Sequence, residues 1–258
     1  MSFAVSHDVV VLDWSNEYPC RVLSFMAPQR ELLQDSLLLV NAEEVQTFVT
    51  DKRRNDHFNG RWLLQIALEV WGGIALDAVE VLRTELREPY LRYIQGVWKN
   101  EPLPSFSISH SDDHVFVALC ESGYAIGIDA EPVGRTLSDG VFELMSSGDE
   151  LDVLRKQPSV AIQYWTMKEA VQKSAGMGMH LNPRKIKIPI EKKKCEILIE
   201  NLKIQLESSE FKDYVVSLAI TERTTKHQNA EDELLEATRV AMQGSTWSVG
   251  CATVRKNA

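Results

Sequence analysis

The chain has 258 residues, of which 44% are hydrophobic, and it carries a formal net charge of −9. This length and composition allow a sizeable core in one large domain or in two small ones. The negative charge argues against a general binder of nucleic acid or of membrane surfaces, so any anionic ligand must be held by local basic residues.

The spacing of the cysteines and the length of the apolar runs indicate the cellular compartment of the protein. The four cysteines lack the spacing of a zinc site or a disulfide framework, which favours reduced thiols in a cytoplasmic protein. The start of the chain does not resemble a signal peptide, because Asp8 and Asp13 bracket its short apolar run. No apolar run approaches the roughly 18 residues of a membrane span. We therefore expect a cytoplasmic protein with no membrane partner.

The first half of the chain combines short strand patterns with one long helical pattern. The sequence predicts a helix over about 42–70, and strands over 9–14, 79–82, 106–110 and 115–120. The apolar residues of the predicted helix recur at every fourth position and predict a buried stripe of Phe58, Trp62, Ile66 and Val70. Arg53 and Arg61 lie eight residues apart, so we expect them to share one flank of this helix.

Three acids in the second half of the chain predict a metal site. Asp129 and Glu131 are one residue apart on a predicted strand, so both point to the same face, roughly 6–7 Å apart. Glu169 comes from a predicted helix over 148–176, one turn before Lys173. Three carboxylates suit a hard divalent ion such as magnesium. An alternating acid pair on a strand is more often just solvated, but this pair follows an apolar run that reads as buried, where unpaired carboxylates are costly.

The order of strands and a long helix occurs roughly twice, because further strands are predicted over 195–206 and 214–220. We predict an α+β fold of two pseudo-symmetric halves, each a small, mostly antiparallel sheet packed with a long helix. The expected boundaries are 1–122, 123–222 and a polar C-terminal extension, 223–258.

Three motifs, in this order, resemble the Sfp-type 4′-phosphopantetheinyl transferases. They are Ser107-Ile-Ser109-His110-Ser111, Gly127-Ile-Asp129-Ala-Glu131 and Trp165-x-x-Lys168-Glu169-x-x-x-Lys173. Upstream segments resemble the siderophore-synthase-activating branch of that family: Lys52-Arg53-Arg54-Asn55, Gly60-Arg61 and Arg87-Glu88-Pro89.

The resemblance implies transfer of the phosphopantetheine arm of coenzyme A to a serine of an apo acyl or peptidyl carrier protein, with release of 3′,5′-ADP. It implies Mg²⁺ ligands at Asp129, Glu131 and Glu169. It also implies contacts to coenzyme A, chiefly its phosphates, from Arg53, Arg61, Ser109, His110 and Lys173, with Lys168 as a further candidate. Arg87 stands where many relatives have a phosphate-contacting lysine. Glu169 is our hypothesis for the base, and Glu169 and Lys173 are the expected catalytic residues.

Other functions remain open from the sequence. The same acids suit a metal-dependent phosphohydrolase, and a catalytically inactive carrier-binding module is a non-enzymatic alternative. A basic segment over 184–194 could dock an acidic carrier protein or could simply be a solvated loop. Two similar halves in one chain make a monomer the expected state, with no nucleic-acid partner.

Overall fold

The structure is a computed structural model that describes residues 8–15, 17–94, 102–189 and 191–223. The described residues up to Glu222 form one compact unit. The predicted C-terminal extension, apart from Arg223, lies outside the described residues, and the predicted domain boundaries stay a prediction. Within the described part of the chain, no helix combines the length and apolar character needed to cross a bilayer.

The first half contains a four-stranded antiparallel sheet and a long helix among the residues described. The strand order is β1-β2-β6-β5, and a separate hairpin joins β3 to β4. In chain order the elements are β1 (Val10–Val11), β2 (Val22–Pro28), α1 (Ala42–Gln46), α2 (Asp51–Trp71), β3 (Val79–Arg83), β4 (Pro89–Tyr93), β5 (Ser105–Ser111) and β6 (His114–Cys120).

The second half repeats this composition. Its described strands form an antiparallel sheet in the order β7-β10-β9-β8. Its elements are β7 (Tyr124–Pro132), α3 (Asp139–Met145), α4 (Asp149–Lys156), α5 (Ala161–Ser174), β8 (Lys194–Ile199), β9 (Leu202–Phe211) and β10 (Tyr214–Glu222). The predicted α+β fold, with antiparallel sheets and a long helix in each half, is confirmed.

Alternation along the strands gives each sheet two apolar faces. On β6, Val117 packs toward α2, whereas Phe116 and Ala118 contact the apolar face of the other sheet. On β10, Ala219 packs toward α5, while Leu218 lies between the sheets. The layers therefore follow the order α2, first sheet, second sheet, α5, and strands with both faces buried need the near-continuous apolar runs seen here.

The predicted helix over about 42–70 is interrupted, and the prediction of one continuous helix was wrong. The Asn41 side chain caps α1 by accepting from the backbone of Glu43 and Glu44 at 2.8 and 3.2 Å. The Thr50 hydroxyl then accepts from the Arg53 backbone at 3.3 Å and begins α2. Side-chain oxygens at N-caps satisfy free helical N–H groups, so two caps specify two helices.

The predicted apolar stripe of α2 was also wrong. The fully buried face comprises Leu63, Leu64, Ala67 and Leu68, whereas Val70 is 41% exposed and Phe58, Trp62 and Ile66 are only partly buried. The buried face takes positions i, i+1, i+4 and i+5, as a 3.6-residue repeat allows, whereas a strict four-residue spacing drifts off the face.

Helix α5 lies unusually close to β7 at one glycine. A Cβ added to Gly127 would lie 1.9 Å from the carbonyl oxygen of Ala170 and 2.7 Å from the backbone nitrogen of Ser174. Both obstacles are backbone atoms, which cannot move aside as a flexible side chain can. The absence of a side chain at Gly127 therefore sets the distance between the strand that carries Asp129 and the helix that carries Glu169.

We expect Gly127→Ala to lower the free energy of unfolding by at least about 2 kcal/mol, because the extra methyl group must push α5 away from β7. Denaturant titration measures the change. Gly134→Ala is the matched control, since its added Cβ meets nothing within 4 Å. Equal stability of the two variants would contradict the proposed close approach.

Candidate functional site

The two sheets meet where β5 runs beside β7, and four alternate serines of β5 make this contact. We call Ser105, Ser107, Ser109 and Ser111 the serine seam. Ser105 donates to the Tyr124 carbonyl at 2.6 Å, and Ser107 accepts from the Ile128 backbone at 3.1 Å. Side chains two residues apart on a strand share a face, so the seam follows from the period of the sequence.

The other two seam serines hold the predicted acids. Ser109 donates to the Asp129 carboxylate at 2.9 Å, and Ser111 donates to the Glu131 carboxylate at 3.2 Å. Each acid also has a cationic partner, which is Lys173 at 2.8 Å for Asp129 and Arg135 at 2.5 Å for Glu131. Ser109 thus supports an acid in this structure.

Glu169 is the third acid of the group, and its charged form is disfavoured. Burial, followed by the negative charge of Asp129, raises the pKa of Glu169, and only the Lys173 ammonium opposes the shift appreciably. Glu131 adds to the repulsion. Burial also raises the pKa of Glu131 itself, against the effect of Arg135. Carboxylates that repel one another in this way favour a cation between them.

The donor set of these residues suits a hard divalent ion. Among the described residues, no three His, Cys, Asp or Glu side chains are close enough as they stand to hold a metal. Asp129 and Glu131 nevertheless both raise the pKa of Glu169, so the three carboxylates interact. Carboxylate oxygens are the ligands that Mg²⁺ prefers. The residues therefore fit the predicted ion, with Lys173 and Arg135 currently neutralising two of the acids.

A pocket of about 320 Å³ lies beside these acids and is lined from both halves. We call it the basic pocket because its ionisable lining residues are mostly basic, with Glu88 as an acid among them. The basic ones come from α2, β5, the β3–β4 hairpin and α5; they are His57, Arg61, Arg83, Arg87, His110 and Lys173. Lys173 belongs to both sites, since its ammonium lines the pocket and also donates to the Asp129 carboxylate and the Ile128 carbonyl.

Three buried nitrogens of the basic pocket have no hydrogen-bond partner: His57 Nε2, Arg61 Nε and His110 Nε2. Burial lowers the pKa of both histidines to about 4, so both rings are neutral at physiological pH. Burial also lowers the pKa of Arg61 to about 10, at which it stays charged. Unpartnered buried polar atoms are costly, so their convergence points to an anionic ligand.

Two residues that the sequence analysis missed organise the basic pocket. The Glu44 carboxylate accepts from Arg83 at 2.6 Å and lies 3.5 Å from the Arg61 guanidinium. Arg83 also donates to the Arg87 carbonyl at 3.1 Å, at the tip of the hairpin. Neither residue belongs to a motif, and only the fold brings α1 and β3 together.

The predicted ligand residues divide into two groups. Arg61, Arg87, His110 and Lys173 line the basic pocket, as predicted contacts should. Arg53 does not join them, because its exposed side chain stacks over the Phe48 ring at 5.1 Å. Arg53 is therefore not part of the pocket lining, and its predicted contact with coenzyme A stays a prediction.

Lys168 is also not brought to the basic pocket. Its ammonium is buried and donates to the Glu150 carboxylate at 2.8 Å and to the carbonyls of Pro183 and Ile186 at 3.0 and 2.6 Å. These bonds use all three of its donors. Burial lowers the pKa of Lys168, and the Glu150 charge opposes this shift. Its predicted contact with coenzyme A has no support from its position.

Comparison with known proteins adds to this geometry. Residues 125–219 match the family model of the 4′-phosphopantetheinyl transferase superfamily. No curated protein gives a match to the chain. The matched segment contains the three acids and Lys173, and it covers less than half of the chain. The resemblance is thereby supported for the second half, while the Sfp-type branch and its siderophore-related subgroup stay predictions.

The raised pKa of Glu169 predicts a stability gain on removing its charge. Between the unfolded and folded pKa values the folded protein binds more protons, so the contribution of Glu169 to stability falls as pH rises through that window. We expect Glu169→Gln, without divalent ions, to raise the melting temperature at neutral pH by a few degrees. The gain should vanish below about pH 4, where unfolded glutamate is protonated as well.

Thermal unfolding across this pH range measures the effect. Glu69→Gln, at an exposed position on α2, removes a glutamate charge outside the acid group and should change the melting temperature little at any pH. A Glu169→Gln variant that melts below the parent protein at neutral pH would show that the charged carboxylate is stabilised in the fold.

Proposed function

We propose that the protein transfers the 4′-phosphopantetheine arm of coenzyme A to a serine of an apo carrier protein, with magnesium, and releases 3′,5′-ADP. The observation that carries the proposal is the sharing of Lys173 between two sites. This side chain lines a pocket with unpartnered nitrogens and also binds an acid inside the segment that matches the transferase family.

The basic pocket suits the phosphates of coenzyme A. This substrate carries a pyrophosphate and a 3′-phosphate, so an acidic protein must bind it through focused positive charge. Guanidinium groups come from Arg61, Arg83 and Arg87, and each can bind two oxygens of one phosphate in a bidentate manner. The ammonium of Lys173 provides donors beside the acids, and His110 lines the same pocket.

Asp129, Glu131 and Glu169 are the residues that would hold magnesium. When bound, the ion neutralises phosphate oxygens and the charge that develops on the leaving group. The Lys173 ammonium, which bonds to Asp129 in this structure, is placed to share its donors with a phosphate oxygen. Ser109 and Ser111 fix two of the carboxylates in place through hydrogen bonds.

Glu169 is our candidate for the base. The hydroxyl oxygen of the carrier serine attacks the phosphorus that bears the pantetheine arm, and the bond from this phosphorus to the bridging oxygen of 3′,5′-ADP breaks. The proton of the serine passes to Glu169. In the absence of the ion, burial and the neighbouring acids raise the pKa of this carboxyl. A general base must also lie within hydrogen-bond reach of the proton that it removes.

The carrier partner and its docking on the basic segment are part of the proposal. Several cations of this segment have local partners: Arg184 donates to the Glu143 carbonyl, Lys187 to Ser147, and Lys193 to Glu210. Lys185 and Lys192 are exposed. These two are the side chains that could meet an acidic carrier at least cost to the fold.

Incubation with coenzyme A, Mg²⁺ and an apo carrier protein tests the proposal. We expect the intact mass of the carrier to rise by that of one phosphopantetheine arm. Glu169→Ala should lower the transfer rate by at least about 10²-fold, since it removes the base and a magnesium ligand. Glu69→Ala, changed outside the site, should retain the parent rate.

The same assay separates the alternatives. Phosphate release without any carrier would indicate a phosphohydrolase. Absence of both products, with a folded protein and several carriers, would indicate a binding module. Full activity of the Glu169→Ala variant would remove Glu169 from the mechanism while leaving the transferase assignment in place.

Arg87 offers a second test, because it combines backbone strain with a place in the basic pocket. Its φ is 68°, a left-handed backbone conformation that residues other than glycine rarely adopt. We expect Arg87→Gly to leave stability within about 1 kcal/mol of the parent, because relieved strain offsets added freedom of the unfolded chain. Affinity for coenzyme A should fall about tenfold with the lost guanidinium.

Lys212→Gly is the matched control for Arg87→Gly. Lys212 has a φ of 53° in the turn between β9 and β10 and is exposed, and it does not line the basic pocket. We expect Lys212→Gly to change the free energy of unfolding as little as Arg87→Gly does. Its affinity for coenzyme A, measured by isothermal titration, should stay that of the parent. Equal affinity in both variants would exclude Arg87 from ligand binding.

A further inference from the structure

His57 is a residue of the basic pocket to which neither the motifs nor the family match assign a role. It lies on α2, one turn before Arg61, and its ring packs edge-on against Phe48 with centroids 5.1 Å apart. This packing fixes the ring plane. Its Nε2 is buried and has no hydrogen-bond partner in the structure, and the residue lines the pocket.

The charges around His57 explain why the ring is neutral without a ligand. Arg61 on the same helix, Arg83 on β3 and His110 on β5 disfavour a positive ring, and Glu44 on α1 is the acid that favours one. Burial is the largest effect, and together they lower the pKa of His57 to about 4. A phosphate dianion beside Arg61 would reverse this balance, because it adds two negative charges to a buried site.

The 3′-phosphate of coenzyme A is the group that suits the surroundings of His57 in the basic pocket. It is a monoester with a charge near −2 at neutral pH, whereas each phosphate of the pyrophosphate has one ester and one anhydride bond and a single charge. Arg61 and Arg83 are cations that act on the His57 ring, and Glu44 is the acid that opposes them. Lys173 lines the same pocket and bonds to Asp129, so it is placed for the pyrophosphate beside the acids.

We propose that His57 contacts the 3′-phosphate of coenzyme A and takes up a proton when this phosphate binds beside Arg61. The proposal rests on the proposed function. As an imidazolium, His57 would donate a charge-assisted hydrogen bond from the nitrogen that now has no partner. His57 then distinguishes coenzyme A from its 3′-dephospho form, and binding strengthens as pH falls toward the pKa of the bound ring.

Isothermal titration with coenzyme A and with dephospho-coenzyme A, without carrier protein, tests this inference. Titrations in two buffers of different ionisation enthalpy give the number of protons taken up on binding. We expect the parent protein to prefer coenzyme A and to take up protons with it. His57→Asn should lower the preference for coenzyme A about tenfold and reduce the proton uptake, with little change for dephospho-coenzyme A.

Two controls make the result specific. His180→Asn changes an exposed histidine outside the basic pocket and should behave as the parent protein does. The titration of the phosphate itself contributes equally to parent and variants, so the difference between them reports the ring. If His57→Asn does not fold, NMR titration of the parent imidazoles replaces it, with a rise in the pKa of His57 on adding coenzyme A as the expected result.

The outcomes separate this inference from the proposed function. Coenzyme A binding with the same preference and the same proton uptake in the parent and in His57→Asn overturns the role of His57 alone. An unchanged imidazole pKa on ligand addition does so too. A parent protein that binds neither nucleotide overturns both the inference and the proposed function.

Discussion

The structure depends on the seam where β5 meets β7. The two sheets have separate strand ladders, so side chains must join them, and serine hydroxyls do so by bonding to the backbone and carboxylates of β7. Lys173 adds bonds to the Ile128 carbonyl and to Asp129, and a long one of 3.5 Å to the Ile108 carbonyl. The atoms that join the halves are thus largely the atoms of the site. A change that weakens the acids or Lys173 will therefore affect both stability and ligand binding.

This joint also brings opposite charges into one cleft. The acids come from β7 and α5 in the second half, whereas the guanidinium groups come from α2 and the β3–β4 hairpin in the first half. A protein with a net charge of −9 would repel a polyanionic ligand over most of its surface. Concentrating cations in one pocket, with Glu44 holding two arginines in place, restricts attraction to the site.

The sequence was sufficient for the fold class, because that depends on local periods, whereas the role of the acid group as a metal site stays a prediction. Alternation places Asp129 and Glu131 on one face of β7, and a four-residue step places Glu169 and Lys173 on one face of α5. Packing of α5 against β7 brings the two pairs together. The basic pocket depends instead on tertiary contacts. Helical spacing could not separate Arg53 from Arg61, since only packing decides which flank is covered. His57 and Arg83 lie outside any motif that the sequence analysis used. The serine period was visible, but its residues are as frequent in turns, and only the neighbouring strand explains it.

Lys168 and Glu169 show how adjacent residues of one motif come to have different tasks. Successive residues on an α-helix point about 100° apart, so only one of the two can face the acids on β7. Lys168 instead enters the core, where Glu150 and two carbonyls saturate its ammonium, and the Glu150 carboxylate also accepts from the Ile188 backbone at 3.3 Å. These bonds tie α4 and the segment over 183–188 to α5. A buried ion pair of this kind contributes little net stability, yet losing one partner costs about 3–5 kcal/mol. Lys168 therefore anchors α5 through α4 and the segment over 183–188, and this keeps Glu169 and Lys173 in position against β7.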